Sequence, residues 1–258
     1  MVEKLIKSKK RVQQHGEVFT PTKIVNDMLN LEGLREKVED IRGMVLEPAV
    51  GEGVFLVEIL KRRLKYLLNT EDSILDYENK SLLALTTLYG IELLEDNAQK
   101  CVMNIYICFF EYYEKALKKF EKKSKKKVLD SARTIISTNI AQGNFLTQQT
   151  NSGELIVLSE WREVETSGKR KNIQVIRTEH TLEDIYKEIE NENGFIVGQV
   201  EKKEEKKSYQ ISFLDYDEES NFIDKYDNQK DDEPLKQYRY IVCSILDVYR
   251  EEMEEYEG

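Results

Sequence analysis

The segment 45–56 restricts the fold of this chain more than any other, and it reads VLEPAVGEGVFL. A short apolar run ends in Glu47 and a proline, and two glycines one residue apart precede an amphipathic run. This order predicts a buried strand, a tight turn and the start of a helix, which is a building unit of α/β folds. Glycine is required in such a turn where φ is positive or where a Cβ would collide with a ligand. The segment therefore predicts a crevice at the end of a sheet, where backbone amides face a small polar molecule.

The first 150 residues continue to alternate between short apolar runs and amphipathic runs. Strands are expected over 44–47 and 88–92, a strand-like segment and turn over 139–146, and helices over 22–31, 54–68 and 98–120. Strands that alternate with crossover helices pair in parallel, so we predict an α/β fold with a doubly wound sheet.

Beyond residue 150 the pattern changes, and we expect a smaller mixed α+β part. Thr181 is the expected N-cap of a short helix. The other expected elements are strands over 154–158 and 172–178, a hairpin formed by 195–200 and 208–214, an acidic loop over 215–233, and a final amphipathic helix over 235–249. Three regions follow: a helical segment (1–40), an α/β core (41–160) and an acidic C-terminal part (161–258).

Composition excludes several classes of protein and site. The chain has 258 residues and a net charge of −10; residues 1–150 hold 24 basic and 21 acidic side chains, residues 151–258 hold 15 and 28. An acidic second part argues against a broad nucleic-acid-binding face there. No apolar run approaches the roughly 20 residues of a membrane helix, and the first residues lack a signal-peptide pattern, so we expect a cytoplasmic protein. Cys101, Cys108 and Cys243 show no metal-binding spacing and are expected to be reduced and packed, so no metal is predicted.

Four segments, taken together, carry a resemblance to a known family. They are GEVFTP (16–21), EPAVGEG (47–53), YGIEL (89–93) and GNFL (143–146). In this order they resemble the adenine-N6 DNA methyltransferases of restriction–modification systems, most closely the Type I modification-subunit group, over roughly residues 11–150. The resemblance implies a Rossmann-like class I S-adenosylmethionine-dependent methyltransferase fold, with S-adenosyl-L-methionine as the cofactor. A nicotinamide cofactor is disfavoured, because Leu56 occupies the third glycine position and Glu92 lies 41 residues past Gly51, where a dinucleotide site expects about 20.

The resemblance assigns one group of residues to the methionine end of the cofactor. Thr20, in the Thr20-Pro21 pair, would hold the carboxylate, although the residue type also suits an N-terminal helix cap. Glu47 would orient the turn and the cofactor amino group. The backbone approach is assigned to Pro48, Ala49, Gly51 and Gly53, and Phe55 begins the supporting helix.

A second group is assigned to the nucleoside end. Glu92, followed by Leu93, would accept hydrogen bonds from the ribose hydroxyls, and a surface acid at a strand end is the alternative. Asn144 stands where the family more often has Asp, and its amide oxygen is still an acceptor for the adenine amino group. Phe145 would pack against the adenine ring, or else belong to the core.

The chain departs from the family at the catalytic motif, Asn/Asp-Pro-Pro-Tyr/Phe, which binds a target base flipped out of the duplex. Its three prolines are Pro21, Pro48 and Pro234, so no Pro-Pro pair exists. The strand expected at that place runs into Trp161, whose ring is a candidate for stacking a base. His15 and His180 are predicted to be non-catalytic. The lysines between 115 and 127 are expected to be a solvated helix end running into a loop, with phosphate contacts as the alternative.

Three hypotheses remain open. In the first, the chain is the cofactor-binding portion of a DNA adenine-N6 methyltransferase, and a second methyltransferase or specificity chain supplies base flipping, catalysis and contact with DNA. In the second, it is a catalytically inactive methyltransferase-like partner or regulatory protein in phage defence or anti-defence. In the third, it methylates another substrate through an unrecognised site, for which the surroundings of Trp161 are one candidate. No membrane partner is expected.

Overall fold

A parallel sheet of three strands forms the centre of the molecule. The computed structural model describes residues 5–165, 172–198 and 237–256. The strands are β1 (Val45–Glu47), β2 (Leu88–Glu92) and β3 (Ile140–Gln142), in the order β1-β2-β3. Glu47 lies beside Gly90, and Glu92 lies beside Gln142. The carboxyl ends of all three strands therefore meet at one edge of the sheet, where ligands of open parallel sheets bind.

The crossover helices pack on one face of this sheet. The helices of the first part are α1 (Lys9–His15), α2 (Thr22–Leu29), α3 (Arg35–Glu39), α4 (Val54–Thr70), α5 (Ile74–Thr86), α6 (Glu95–Phe120) and α7 (Lys126–Asn139). The strands follow each other in chain order, so right-handed crossovers bring α4 to α7 to the same side. Buried apolar residues of these four helices form one core with Val45, Leu88 and Ile140 of the sheet.

The second face of the sheet is covered by the C-terminal part. Tyr89 and Ile91 of β2 pack there against Ile156, Leu158 and Leu182 in a separate apolar cluster. These residues belong to or adjoin β4 (Val157–Glu163), which pairs antiparallel with β5 (Gln174–Thr181), and α8 (Leu182–Tyr186). The predicted α/β class and parallel sheet are found, but a doubly wound sheet is not confirmed, because the crossover helices lie on one face.

Several predicted helices and strands agree with the observed ones, but the sequence analysis did not predict all of the helices. The strand predicted over 88–92 is confirmed, and the helices predicted over 22–31, 54–68 and 98–120 occur with shifted ends. Four helices, α1, α3, α5 and α7, were not predicted. The start of α5 has a clear local signal, because Ser73 accepts a hydrogen bond from the Asp76 N–H at 3.1 Å as an N-cap does.

The predicted final helix over 235–249 is wrong. That stretch contains β6 (Gln237–Tyr240), β7 (Cys243–Ser244) and a 3-10 turn (Val248–Arg250), and β8 (Met253–Tyr256) follows it. Its apolar residues recur at helical spacing, but the backbone of β7 pairs with β5 and that of β6 pairs with β8. Tertiary strand pairing thus overrides a periodicity that suits a helix.

Two further predictions for the C-terminal part have different outcomes. Thr181 is confirmed as an N-cap: its hydroxyl accepts from the Asp184 N–H at 3.0 Å, and the Asp184 carboxylate accepts from the Thr181 N–H at 2.9 Å. The hairpin strand expected from residue 195 is wrong for 195–198, where Gly194 and Gly198 adopt positive φ and the chain turns. Residues 208–214 and the acidic stretch 215–233 lie outside the described residues.

The three cysteines are unpaired in the structure. Burial raises the pKa of the Cys101 and Cys108 thiols to about 12 and that of Cys243 to about 11. Within the three described ranges, none of the helices has the length and apolar character needed to span a membrane.

A buried arginine connects the elements that lead into β1. The Arg63 guanidinium, fully buried on α4, donates to the carbonyls of Val38 and Gly43 at 2.8 and 2.7 Å, and to Thr87 Oγ1 at 2.8 Å. These three acceptors lie at the end of α3, just before β1 and just before β2. The side chain therefore fixes the position of β1 relative to the helices.

We expect Arg63→Met to lower the free energy of unfolding by about 3 kcal/mol, because several buried acceptors lose their donor. Equilibrium urea denaturation measures this change. Lys65→Met, an exposed position on the same helix, is the matched control and should change stability by less than about 0.5 kcal/mol. Equal stability of the two variants would show that Arg63 is not a structural anchor.

Candidate cofactor-binding site

The turn after β1 is closed by its own backbone and by β2. The Val50 N–H donates to the Ile91 carbonyl at 3.0 Å, and the Gly53 N–H donates to the Val50 carbonyl at 2.9 Å. Gly51 and Gly53 adopt φ of +56° and +85°, which side chains other than glycine rarely tolerate. A Cβ at position 53 would also lie 2.7 Å from Cys101 Sγ. Both glycines are thus required by the local backbone, the second also by the packing of α4 on α6.

Glu92, at the end of β2, connects that strand to the glycine turn. One carboxylate oxygen accepts the Gly51 N–H at 2.8 Å, and the other accepts the Leu94 N–H at 3.0 Å and the Asn97 side-chain amide at 3.3 Å. The residue is 7% exposed, so the alternative of a surface acid is wrong. A carboxylate has about four acceptor positions, and three of those on Glu92 are used within the protein.

Glu47 differs from Glu92 because it has no partner. Its carboxylate is partly buried at the end of β1 and makes no hydrogen bond or ion pair with the described residues. Burial raises the pKa of Glu47 above its ordinary value. A half-buried, unpaired carboxylate is unfavourable for folding and typical of positions that bind a positively charged or donor group.

The segment before α2 brings Thr20 and Pro21 to the same region. The Phe19 N–H donates to the Leu5 carbonyl at 2.8 Å, and the Phe19 ring lies 3.6 Å from where a Cβ of residue 51 would be. Pro21, not Thr20, occupies the N-cap position of α2, and no side chain caps this helix. The helix-cap alternative for Thr20 is therefore wrong, and within the described part of the chain its hydroxyl is not hydrogen-bonded.

An ion-pair cluster that sequence reasoning missed holds this N-terminal segment in place. The Arg11 guanidinium donates to both oxygens of Glu17, at 2.5 and 2.7 Å, and to both oxygens of Asp96, at 2.9 and 3.0 Å. Hydrogen bonds from Arg11 and Lys7 hold the pKa of Asp96 well below its usual range. Glu17 also accepts from Asn97, which donates to Glu92 as well. The cluster thus links the N-terminal segment to the acid of β2.

The remaining residues of the glycine turn and of β2 are arranged around this centre. Pro48 and Ala49 are exposed at the tip of the turn, and Phe55 is partly buried against the main core. Leu93 is exposed, and its carbonyl accepts from the Gln142 side chain at 2.8 Å. These positions place backbone near the carboxyl edge of the sheet.

Asn144 and Phe145, after β3, have partners of their own. The Asn144 side-chain oxygen accepts the Leu146 N–H at 2.9 Å and the Thr147 N–H at 3.4 Å, which is the pattern of an Asx turn. The Phe145 ring lies 6.1 Å from that of Tyr186 and packs on the cluster that covers the second face of the sheet. Phe145 therefore makes core contacts, as expected under the alternative to packing against an adenine ring.

Trp161 is not available to stack a base. Its side chain is 8% exposed, its indole N–H donates to the Asn139 side chain at 2.9 Å, and the Arg177 guanidinium lies 5.6 Å from its ring. A buried and hydrogen-bonded indole is part of the core. The Trp161 ring therefore offers no stacking surface for a substrate.

Several lysines between 115 and 127 have structural partners. Lys119 donates to the Leu68 and Glu71 carbonyls at 2.7 and 3.0 Å, where α4 ends. Lys125 pairs with the buried Glu78 at 2.6 Å. The predicted loop after α6 is short, because α7 begins at Lys126.

The comparison with known families matches this part of the chain. Residues 2–119 match the family described as N-6 DNA Methylase. The match covers 118 of the 258 residues, less than half of the chain, and shows a similarity to this family, whose members generally use S-adenosylmethionine. It includes Thr20, Glu47, the glycine turn and Glu92, and it ends before Asn144. No curated protein and no solved structure matches the chain significantly.

The raised pKa of Glu47 predicts a gain in stability when its charge is removed. A carboxylate whose pKa is higher in the folded state than in the unfolded state makes the protein less stable as the pH rises. The loss occurs between the unfolded pKa, about 4.3, and the raised folded pKa. Glu47→Gln should therefore melt at a higher temperature than wild type at pH 7.5, and the difference should shrink as the pH falls towards 4. Thermal unfolding at several pH values tests this. The control Glu36→Gln, at an exposed position, should show no such pH-dependent difference. A lower melting temperature for Glu47→Gln than for wild type at pH 7.5 would contradict the conclusion that the Glu47 charge destabilises the fold.

Proposed function

We propose that this chain is the S-adenosylmethionine-binding portion of a DNA adenine-N6 methyltransferase of a restriction–modification system, similar to a Type I modification subunit. The observation that carries the proposal is the unpaired Glu47 carboxylate beside a turn of two positive-φ glycines, inside the stretch that matches the N-6 DNA methylase family. The chain would work with a partner that supplies base flipping and catalysis.

The residues at the carboxyl edge of the sheet fit the methionine end of the cofactor. Glu47 offers an acceptor for the amino group, and its charge suits a ligand with a positive sulfonium. The Thr20 hydroxyl, which makes no hydrogen bond with described residues, offers a donor for the carboxylate. Glu92 retains one acceptor position for a ribose hydroxyl. When bound, S-adenosylmethionine supplies an electrophilic methyl group.

The need for a partner follows from what the chain lacks. Catalysis on a flipped adenine requires acceptors for its amino group and an aromatic ring against the base. The sequence has no Pro-Pro pair, and Trp161 is buried. The acidic balance of residues 151–258 is unsuited to binding the DNA backbone. A separate chain would therefore contribute both the catalytic motif and the DNA contacts.

A second candidate function has an observation of its own. Asn144 uses its side-chain oxygen within its own loop, and Glu92 uses three of its acceptor positions for the protein. Such self-satisfied groups favour a catalytically inactive, methyltransferase-like partner or regulatory protein in phage defence or anti-defence. The two candidates differ in whether the chain binds S-adenosylmethionine.

Titration calorimetry with the full chain decides between them. Wild type should bind S-adenosylmethionine, and Glu92→Ala should weaken binding at least tenfold, about 1.4 kcal/mol, because the acceptor for the ribose and the support of the Gly51 N–H are both removed. Glu95→Ala is the control, since Glu95 is an exposed acid three residues along whose side chain contacts Gln99; its affinity should equal that of wild type. Absence of binding by wild type would favour the inactive partner.

The isolated chain should not methylate duplex DNA, because it lacks the groups that hold a flipped adenine. Incubation with duplex DNA and methyl-labelled S-adenosylmethionine, followed by counting of labelled DNA, measures this. Incorporation above that of a heat-denatured sample would show that the chain contains a complete catalytic site, and the proposed need for a partner would be wrong.

A further inference from the structure

A groove of about 480 Å³ lies against β1 on the second face of the sheet, where Tyr89 of β2 also lines it. Met44, Val45 and Leu46 all line it. Leu46 pairs with Tyr89, and Met44 lies two residues before Leu46, so these three side chains lie on the same face of the sheet. Because β1 is an end strand, the groove borders its outer edge, and a strand added there would direct alternate side chains into the groove.

This edge of β1 has free hydrogen-bonding groups. β1 is the end strand of the sheet, and among the described residues no strand pairs with its outer edge. The Val45 N–H donates to the Thr87 carbonyl at 2.9 Å, so Val45 faces β2. Hydrogen bonds alternate along a parallel strand, and the N–H and C=O of Leu46 therefore point outward.

The edge is also apolar. The Met44 side chain is 74% exposed and that of Leu46 is 40% exposed. Proteins usually protect an open edge by a very short strand, charged side chains, proline or a covering segment. In β1, which has three residues, the charge and the proline come at the carboxyl end, as Glu47 and Pro48, whereas Met44 and Leu46 leave the preceding part apolar. An open edge with exposed apolar side chains is the arrangement that accepts an added strand.

The opposite wall of the groove defines the chemistry of what it accepts. Its apolar part includes Leu158, Ile185 and Ile189, and its rim carries Glu188 and Glu190. Neither glutamate forms an ion pair with a described residue. The occupant should therefore present apolar side chains to the groove and a positive charge to the rim. A second copy of this chain is disfavoured, because it has the same acidic rim and a net charge of −10.

We propose that this groove binds an extended segment of another protein chain, which adds to the outer edge of β1 as a fourth strand. The segment has apolar residues at alternate positions and a lysine or arginine where it passes Glu188 and Glu190. The identification of this segment with the catalytic partner rests on the proposed function, whereas the edge and the groove do not.

Selection from a random nonapeptide display library tests the proposal, with the full-length chain as bait and Ile185→Asp as the counter-selecting bait. Enriched peptides should alternate apolar and polar residues and carry a basic residue near one end. The enriched peptides are then synthesised in two forms, each N-methylated on one of the two sets of alternate backbone amides, and their affinities are measured by fluorescence anisotropy. Methylation of one set should lower the affinity at least tenfold, and methylation of the other set should change it little. That difference reports pairing with β1, because only one set faces the edge.

Matched variants distinguish peptide binding in the groove from nonspecific binding. Ile185→Asp should reduce peptide affinity at least tenfold, while Ile107→Asp, on α6 at the same 45% exposure, should not. Glu188→Lys should weaken binding of the basic peptides, and Glu36→Lys, with the same charge change at an exposed site outside the groove, should not. Circular dichroism melting checks that each variant is folded.

Two results would overturn the proposal: no peptide enriched over the counter-selection, or equal loss of affinity for both sets of N-methylated amides. Calorimetric titration of S-adenosylmethionine into the same samples keeps the two proposals apart. Peptide binding without cofactor binding would contradict the proposed function alone, and cofactor binding without peptide binding would contradict the docking edge alone.

Discussion

The hydrogen bond from the Gly51 N–H to the Glu92 carboxylate is the interaction on which the site depends. It joins the turn after β1 to the end of β2, and the bond from the Val50 N–H to the Ile91 carbonyl lies next to it. A buried carboxylate is unfavourable unless several donors satisfy it, and Glu92 has donors from the turn, from its own strand end and from Asn97. Through Asn97 and Glu17 the same acid is connected to the N-terminal segment. Three stretches far apart in sequence are therefore held around one side chain.

The two acids of the site have opposite electrostatic roles. Glu92 is satisfied by the protein and organises the backbone. Glu47 is partly buried without a partner among the described residues, and burial raises its pKa. Folding alone does not explain why an acid is kept at position 47, because an amide or apolar side chain would avoid the desolvation cost. The unpaired acid is explained if a ligand with a donor or positive group lies beside it. The arrangement thus separates a carboxylate that organises the backbone from one that forms no hydrogen bond with the described residues.

The sequence predicted the elements whose signals are local. The strand 88–92 is apolar between turn signals and is fully buried, and α4 follows a glycine turn. The final helix was predicted wrongly because Tyr238, Ile241 and Ile245 recur at helical spacing, whereas strand pairing determines the structure of this stretch. The cluster of Arg11, Glu17 and Asp96 was not predictable from spacing, because its members are up to 85 residues apart. The sequence around Trp161 does not indicate whether its indole is exposed or buried. The structure shows that it is buried and hydrogen-bonded to Asn139.

The layout of the sheet connects the crevice at the glycine turn to the outer edge of β1. Helices cover one face and the C-terminal part covers the other, so the sheet can be extended only in its own plane. One of the two outer edges belongs to β1, which is also the strand that ends in Glu47. A strand added there would place one of its ends within a few residues of Glu47 and Pro48, because paired strands lie about 5 Å apart. Residues at that end of the proposed segment would thus face the crevice directly.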